Sequence, residues 1–538
     1  MVGKHVLVVL LLCFVLVVVF SILSILPVRA TTSIIRVPED YLRIQEAVEA
    51  SSPGDIILVS AGTYFEHLIV NKTLSLVGEN RHTTIIDGNK TGLVLYLEAD
   101  NVRLSGFTIR NGGGWSPYAG YGIILDSCNY STIYGNIITS NLAGGIHMRE
   151  SSGNLICNNQ MLNNGDGPPD LQYGEGVWLW SSNNNIISNN SMSNNVVSGT
   201  VIDESHSNVV TGNTLTNNLL AVVLVSSTGN IISDNIITSN GNGFSIRYSA
   251  ANTIEQNRIF RNGIGIGLGF SEKNTIKRNN ITENTIHGIS MADICPNNTI
   301  VGNIISRNQK GIKIHYSNGS FIHHNNFINN TKNVPGDVYP NVNTWDDGYP
   351  SGGNYWSDYN GTDHYNGFGQ NLTGSDGIGD IRHTLDALNQ DEFPLTAPIS
   401  LLDAGFWNET SHVLHIVSNS TISSFQLNRT QKTVKFNVTY PAHTIGFCRL
   451  TIPNIILQDL WPNNYTVYVD REAPLEIRNW TDHTNTYIYF TYHYTTHEVT
   501  IIPEFSVTLI PLILILTTLI GSKLRKNNQK RSSTSLCS

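Results

Sequence analysis

Between residues 133 and 327 apolar positions recur in a fixed frame. One apolar slot reads Ile133, Ile156, Ile187, Val210, Ile232, Ile254, Ile276, Ile300 and Ile322. An Asn follows three residues later, at Asn136, Asn159, Asn190, Asn213, Asn235, Asn257, Asn279, Asn303 and Asn325. A second apolar slot lies two residues beyond it: Ile138, Met161, Met192, Leu215, Ile237, Ile259, Ile281, Ile305 and Phe327. The steps between successive Asn slots are 23, 31, 23, 22, 22, 22, 24 and 22 residues. A repeat of this length marks a solenoid. Its apolar segments are short, alternate with period two and favour β-branched residues, with Gly, Asn and Ser between them, so they are strands. A leucine-rich repeat has a similar period and its own Asn, but it would be Leu-dominated with a helical half-repeat. The pattern predicts an all-β chain built on a right-handed parallel β-helix, a three-sided solenoid. The Asn column is expected to take left-handed backbone at a corner and to bond along the stack as a ladder.

The pattern changes on either side of this frame. Residues 31–60 contain one amphipathic helix, with Ile44, Ala47 and Val48 on one face and Pro53-Gly54 ending it. It is expected to cap the solenoid's open edge, which would otherwise recruit other strands. Irregular coils follow, with strands expected near 74–77, 84–86, 93–97 and 104–109, and with Phe107 in the slot that later holds Asn. Residues 331–398 break the repeat with Asp, Gly, Tyr and Trp and are expected to close a β-helix spanning 31–398. Residues 399–502 alternate with turns at regular spacing, as a small β-sandwich does. There Tyr487, Tyr489, Thr491 and His493 are expected on a polar face, and Ile488, Phe490 and Tyr492 on an apolar one.

The two ends read as targeting segments. Residues 1–30 carry Lys4, an apolar run over 6–20 and small residues before Ala30, as a secretory signal does. Residues 503–522 are apolar enough for a transmembrane anchor, and a basic tail at 523–538 places it on the cytoplasmic side. The body is then exported and held at the cell surface. Sequons at Asn408, Asn419, Asn428, Asn437, Asn464 and Asn479 suit a glycosylated module. The net charge is −9 with only 14% charged residues, which argues against nucleic acid as a partner. The six Cys have no close pairs, so neither a disulfide framework nor a zinc motif is indicated.

The stretch "GTYFEHLIVNKTLSLVGENRHTTIIDGN", followed by "NVRLSGFTIRNGG", resembles the opening of NosD-type β-helix proteins, members of the pectin-lyase-like class of carbohydrate-binding proteins and sugar hydrolases. "NTWDDGYPSGGNYWSDYNGTDHYNGFGQNLTGSDGIGD" at 343–380 resembles the segment that closes such helices in archaeal members. Pro503-Glu504-Phe505 is similar to the sorting tails of archaeal surface proteins. The resemblance implies the fold over about 35–395. It leaves activity open, because one fold hosts many functions.

Chemistry is expected where the period is too long. The 31-residue step and a 29-residue step from Phe107 to Asn136 place insertions 112–120 and 165–175 at the same corner. In a solenoid they emerge on one face, often the binding face. On the strand after that corner, alternation turns Ile123, Leu125, Ile146, Met148, Val177, Leu179, Thr200 and Ile202 inward. Asp126, His147, Arg149, Trp178, Trp180 and Asp203 then face outward as a groove floor, with Trp115, Tyr118 and Tyr173 as walls. Indole faces suit sugar rings, and the charged groups suit hydroxyls or carboxylates. The alternative is that both tryptophans lie under the loops as a satellite core.

The leading reading is a polysaccharide- or glycan-binding surface protein. A lyase or hydrolase using the same groove is the enzyme alternative, with Arg149, Asp126 and Asp203 as candidate catalytic residues. A glycosidase needs two carboxylates roughly 5–9.5 Å apart. Asp126 and Asp203 are three coils apart, about 14 Å, so Asp166, Asp170 or Glu175 would have to complete a pair. A non-catalytic adhesion or copper-accessory role is the third reading. Asp346, Asp347, Asp376 and Asp380 are candidate calcium ligands, weighed against turn-forming Asp beside Gly. Copper needs His, Met or Cys in close quarters, and adjacent strand residues His323 and His324 should point oppositely. No copper constellation is therefore expected.

Overall fold

The computed structural model describes residues 32–114, 119–165, 173–335, 341–440, 445–462, 464–493 and 495–504. The expected secretory segment, the expected anchor from Phe505 onward and the basic tail lie outside them, as do Trp115, Tyr118, Asp166 and Asp170, whereas Pro503 ends the strand Thr495–Pro503. Among the described residues, no helix is long and apolar enough to cross a membrane. The chain forms two compact units that divide between Gly241 and Asn242.

The first unit is a three-sided parallel solenoid. One sheet stacks Ile34–Val37, Ile56–Val59, Ser75–Gly78 and Arg103–Ser105, then Thr132–Tyr134 and its successors through Ile231–Ser233. A second runs from Gly62–Tyr64 to Ile236–Thr238. The third carries the candidate groove: Leu68–Val70, Leu95–Leu97, Tyr121–Asp126, Gly144–Arg149, Glu175–Trp180, Ser198–Asp203 and Leu220–Val225. The expected strand over 104–109 is two strands, Arg103–Ser105 and Thr108–Arg110, broken at Gly106 with φ +81°. A Cβ there would meet the Gly78 carbonyl oxygen at 2.2 Å. Helix α1, Ile44–Ala50, buries Ile44, Ala47 and Val48. Its first N–H groups, from Ile44 and Gln45, donate to the Glu66 carboxylate at 2.9 and 3.0 Å. A capping carboxylate from elsewhere in the chain thus satisfies the helix start.

The Asn column is buried and bonded as expected. In the first unit each Nδ2 donates to the next Oδ1, from Asn136 to Asn159, Asn190, Asn213 and Asn235, at 3.0–3.2 Å. In the second unit Asn257, Asn279, Asn303 and Asn325 do the same at 2.9–3.0 Å. One detail differs from expectation: the ladder Asn is not the left-handed residue. Its predecessor is: Asn158 (φ +56°), Asn189 (+54°), Gly212 (+67°), Arg278 (+55°), His324 (+54°). That twist turns the following side chain inward, where its amide reaches the neighbouring coil. Two further ladders occupy the other corners, one through Asn141, Asn164, Asn195 and Asn218, the other through Asn154, Asn185 and Asn208. The first of these lies five residues after the main column, a spacing visible in the sequence.

The second unit opens with solenoid coils from Asn242–Arg247 to Asn326–Ile328. A cap follows in which Trp345 and Trp356 are buried and Trp356 stacks on Phe327 with centroids 4.2 Å apart. Beyond it are two antiparallel sheets. One contains Ile399–Trp407, Thr410–Ser418, Gly446–Pro453, Asn485–Tyr492 and Glu476–Thr481; the other contains Thr421–Asn428, Thr433–Tyr440, Thr495–Pro503 and Tyr465–Val469. They enclose one core that includes Leu414, Leu450, Phe490, Phe436 and Val499, so the region is a β-sandwich. The expected polar face of the 485–492 strand is a correction: Tyr487, Tyr489 and Thr491 are all buried. This strand lies inside its sheet, between Gly446–Pro453 and Glu476–Thr481, and on its second face Phe447 stacks on Tyr489 and Arg449 lies over Tyr487. Arg449 lies 4.9 Å from the Tyr487 ring centroid, and Arg478 donates to the Ser375 carbonyl at 2.8 Å.

Candidate functional site

The strands of the third sheet pair in the register that the period implies. Ile124, His147, Trp178 and Val201 form one row across the sheet, and Asp126, Arg149, Trp180 and Asp203 form the next. Ile123, Leu125, Ile146, Met148, Val177, Leu179, Thr200 and Ile202 are fully buried beneath them. Both insertions join the second sheet to the third, between Thr108–Arg110 and Tyr121–Asp126 and between Gln160–Leu162 and Glu175–Trp180. They therefore leave the solenoid at the same corner.

The outward row is not uniformly open. Trp178, Trp180, Asp126, Arg149 and Asp203 are half-buried, but Ile124 is 1% and His147 4% exposed. Tyr121, Ile124 and Ala143 form a small external core, with Leu93, Tyr96, Tyr173 and Trp178 packed on it. His147 stacks on Trp178, centroids 4.5 Å apart and planes 10° from parallel. The Trp178 indole N–H is buried and has no hydrogen-bond partner among the described residues. Burial, and then the charge of Arg149, depress the His147 pKa to about 4, so the ring is neutral at physiological pH. His147 thus supports Trp178 from the adjacent strand and has little surface left to meet a sugar.

The second row is a polar chain. Tyr96 donates to Asp126 Oδ2 at 2.6 Å, which with burial raises the tyrosine pKa to about 12. Arg149 Nε lies 3.8 Å from Asp126 Oδ1, and its guanidinium carbon lies 5.8 Å from the Trp180 ring centroid. Beside this chain is a cavity of about 480 Å³ lined by His67, Ile69, Leu93, Tyr96, Ile124 and Arg149 among others. Its walls are mostly apolar, with Arg149 as the charged group. Periodicity did not reveal His67, Ile69 or Leu93, because the early coils that carry them lack the Asn column.

Glu175 opens the Trp178 strand and is 4% exposed. Burial raises its carboxyl pKa to about 7, against the backbone N–H groups of Gly174 and Glu175 and the Tyr121 hydroxyl, which favour the ionised form. The Tyr121 ring lies over Gly144, where a Cβ would meet Cε1 at 2.5 Å. Asp203 is shifted upward by burial and then by Glu204. It stands three strand spacings from Asp126, about 14 Å, beyond the reach of a glycosidase pair.

A second cluster lies in the second unit. His323 and His324 do not point apart: their Nδ1 atoms are 2.9 Å from one another. The expectation failed because strand geometry ends at His323, and His324 has the left-handed φ of +54° that precedes ladder residue Asn325. With Asp347 they are the one group of three potential metal ligands among the described residues, all ligand atoms within 4.8 Å. The other expected acids accept backbone N–H groups of the cap. Asp346 accepts the Gly348 and Glu392 N–H groups, Asp376 that of Ile378, and Asp380 those of His364 and Tyr365.

Comparison with known proteins agrees with this architecture. Residues 165–361 match the family described as periplasmic copper-binding protein (NosD), and residues 79–230 match the right-handed β-helix region. A cell surface glycoprotein of Methanothermus fervidus is 28% identical over 170 residues, 27% of this chain and 27% of that protein. This chain therefore spans about a quarter of that relative. Among solved structures, the catalytic domain of a GH87 α-1,3-glucanase is 13% identical, with TM-score 0.47, over 60% of this chain and 69% of that one. PfbA, a surface adhesin of Streptococcus pneumoniae, is 15% identical, with TM-score 0.39, over 54% of this chain and 87% of that one. The repeat and the stacked register make this a parallel β-helix, residues 79–230 match the right-handed β-helix model, and residues 165–361 are similar to the NosD family.

Proposed function

We propose that this chain is an exported, surface-held β-helix protein that binds glycan on the outer face of the third sheet of its first unit. The observation that carries the reading is the 480 Å³ cavity beside Tyr96, Asp126 and Arg149, on the face that presents Trp178 and Trp180. Its apolar walls suit the C–H faces of pyranose rings. A half-buried guanidinium suits a carboxylate in bidentate contact, so acidic, uronate-containing polysaccharides are the favoured ligands. Export and surface attachment draw support from the apolar segments at both ends and from the surface glycoprotein relative.

An enzymatic reading rests on Glu175, whose pKa near 7 suits a general acid or base. Its burial beneath Tyr121 and the distance between Asp126 and Asp203 favour binding over hydrolysis.

The test is retention of the full chain on neutral and uronic-acid polysaccharides, with Trp178→Ala/Trp180→Ala and Arg149→Ala as controls. Retention on uronates that falls at least tenfold in both variants supports the site. New reducing or unsaturated ends would move the assignment to an enzyme. Retention indifferent to all three substitutions would remove the groove from the account.

A further inference from the structure

The solenoid packs hydrophobic side chains inward and Asn at its corners, and neither role accounts for two adjacent buried imidazoles. His323 is 9% and His324 4% exposed, and their Nδ1 atoms are 2.9 Å apart. The His324 Nε2 atom lies 3.2 Å from the Ser351 carbonyl oxygen. A carbonyl only accepts, so Nε2 carries the proton and the Nδ1 lone pair of His324 is directed at His323. Metal-bound imidazoles are held in this way, with the far N–H donating to a backbone carbonyl.

The third group is Asp347, which is exposed and accepts from the Ser351 hydroxyl at 2.7 Å. The arrangement is two buried nitrogen donors with one carboxylate at the surface. We propose that His323, His324 and Asp347 form a binding site for a first-row transition-metal ion of the Zn(II) or Cu(II) class, with the carboxylate at the entrance.

The dimensions are compatible. With bonds of about 2.0–2.1 Å, nitrogens 2.9 Å apart meet a metal at about 90°, and a small opening gives the tetrahedral angle. One ring nitrogen of each histidine and one Asp347 oxygen lie within 4.8 Å of one another, so an exposed carboxylate reaches the metal by closing about 1.5 Å. Two imidazoles and a carboxylate suit Zn(II) and Cu(II), whereas Ca(II) takes oxygen ligands. Burial lowers the pKa of both histidines, that of His323 to about 3. They are therefore neutral, and the proton on His323 Nδ1 that bridges the pair moves to Nε2 of the same ring when both Nδ1 atoms ligate. His415 packs against His324 with centroids 5.3 Å apart and is also held neutral by burial. Arg449 donates to the Ser351 carbonyl at 3.2 Å. Its charge opposes a cation there, and Asp347 offsets it.

The experiment is titration of the untagged, chelator-treated full chain with ZnCl₂ by calorimetry and with CuSO₄ by electron paramagnetic resonance. Wild type, His324→Gln, Asp347→Asn and the remote control His206→Gln are compared, with CaCl₂ as a separate arm. The expected result is one equivalent of zinc, a copper signal with nitrogen couplings, and at least tenfold weaker binding in Asp347→Asn and His324→Gln but not in His206→Gln. Asp347 is exposed, so its variant folds and decides the matter even if His324→Gln does not. Absence of a bound equivalent, a copper signal without nitrogen couplings, or Asp347→Asn binding as tightly as wild type would overturn the proposal. So would calcium displacing zinc.

Discussion

His147 and Trp178 are partners on adjacent strands, and their rings stack almost parallel at 4.5 Å on the outside of the solenoid. An outward-facing histidine has thereby become a buried one, and its neighbour gains a rigid backing. Trp178→Ala removes that cover. We expect a loss of about 3 kcal/mol in urea unfolding, the low end for Trp→Ala because the ring is half-buried. The His147 pKa, followed by NMR, should rise from about 4 toward 6.5. A pKa that stays near 4 would show that something other than the indole desolvates the imidazole.

The same histidine gives the first unit an acid-sensitive term. Its folded pKa lies below the unfolded value of 6.5, so the unfolded chain binds more protons between about 4 and 6.5. Its contribution is complete above 6.5 and is lost as pH falls toward 4. At 1.36 kcal/mol per unit this is about 3 kcal/mol at most. His147→Gln should flatten the stability profile over that range, measured by denaturation from pH 7 to 4.

Glu175 acts in the opposite sense. Its folded pKa of about 7 exceeds the ordinary 4.5. Its contribution is therefore complete below 4.5 and declines as pH rises through 7. Glu175→Gln should stabilise the chain above pH 7 relative to wild type and have little effect at pH 4.5. Equal effects at both pH values would contradict a protonated carboxyl.

Within the ladders, Asn190 donates from Nδ2 to the Ile156 carbonyl at 2.8 Å and to Asn213 Oδ1 at 3.0 Å, and its Oδ1 accepts from Asn159. Asn190→Ala strands these buried partners and should cost about 1–3 kcal/mol. An unchanged melting temperature would mean that the column carries no stability.

Corner strain provides a test of opposite sign. Arg278 precedes a ladder Asn with φ +55°, a conformation that costs a non-glycine residue about 1–2 kcal/mol. Gly occupies the equivalent place before Asn213 and Asn303. Arg278→Gly should raise stability by up to about 1 kcal/mol, because relief of strain exceeds the extra entropy lost on folding. Destabilisation would assign Arg278 a contact worth more than the strain.

The candidate face was legible as far as phase could carry it. Trp178, Trp180, Arg149 and Asp126 stand on one face because a strand's side chains alternate and the coils are stacked in register. Phase does not tell what lies on top of a face. That is why His147 proved buried and why the cavity drew on His67 and Ile69 from coils outside the repeat. The histidine pair was misread for a related reason. Alternation holds only inside a strand, and a corner residue of left-handed φ aims its side chain by its own geometry.

By itself, the sequence determined the solenoid, the stacking of its Asn columns, the shared corner of the two insertions and the sandwich that follows. All of these are periodic or local, and a residue's place in a repeat is set by near neighbours along the chain. Tertiary structure alone decided which outward residues are covered, that Glu175 is buried near neutrality, and that His323, His324 and Asp347 meet. Burial and convergence depend on groups distant in sequence, and desolvation, which sets these pKa values, exists only once those groups have packed.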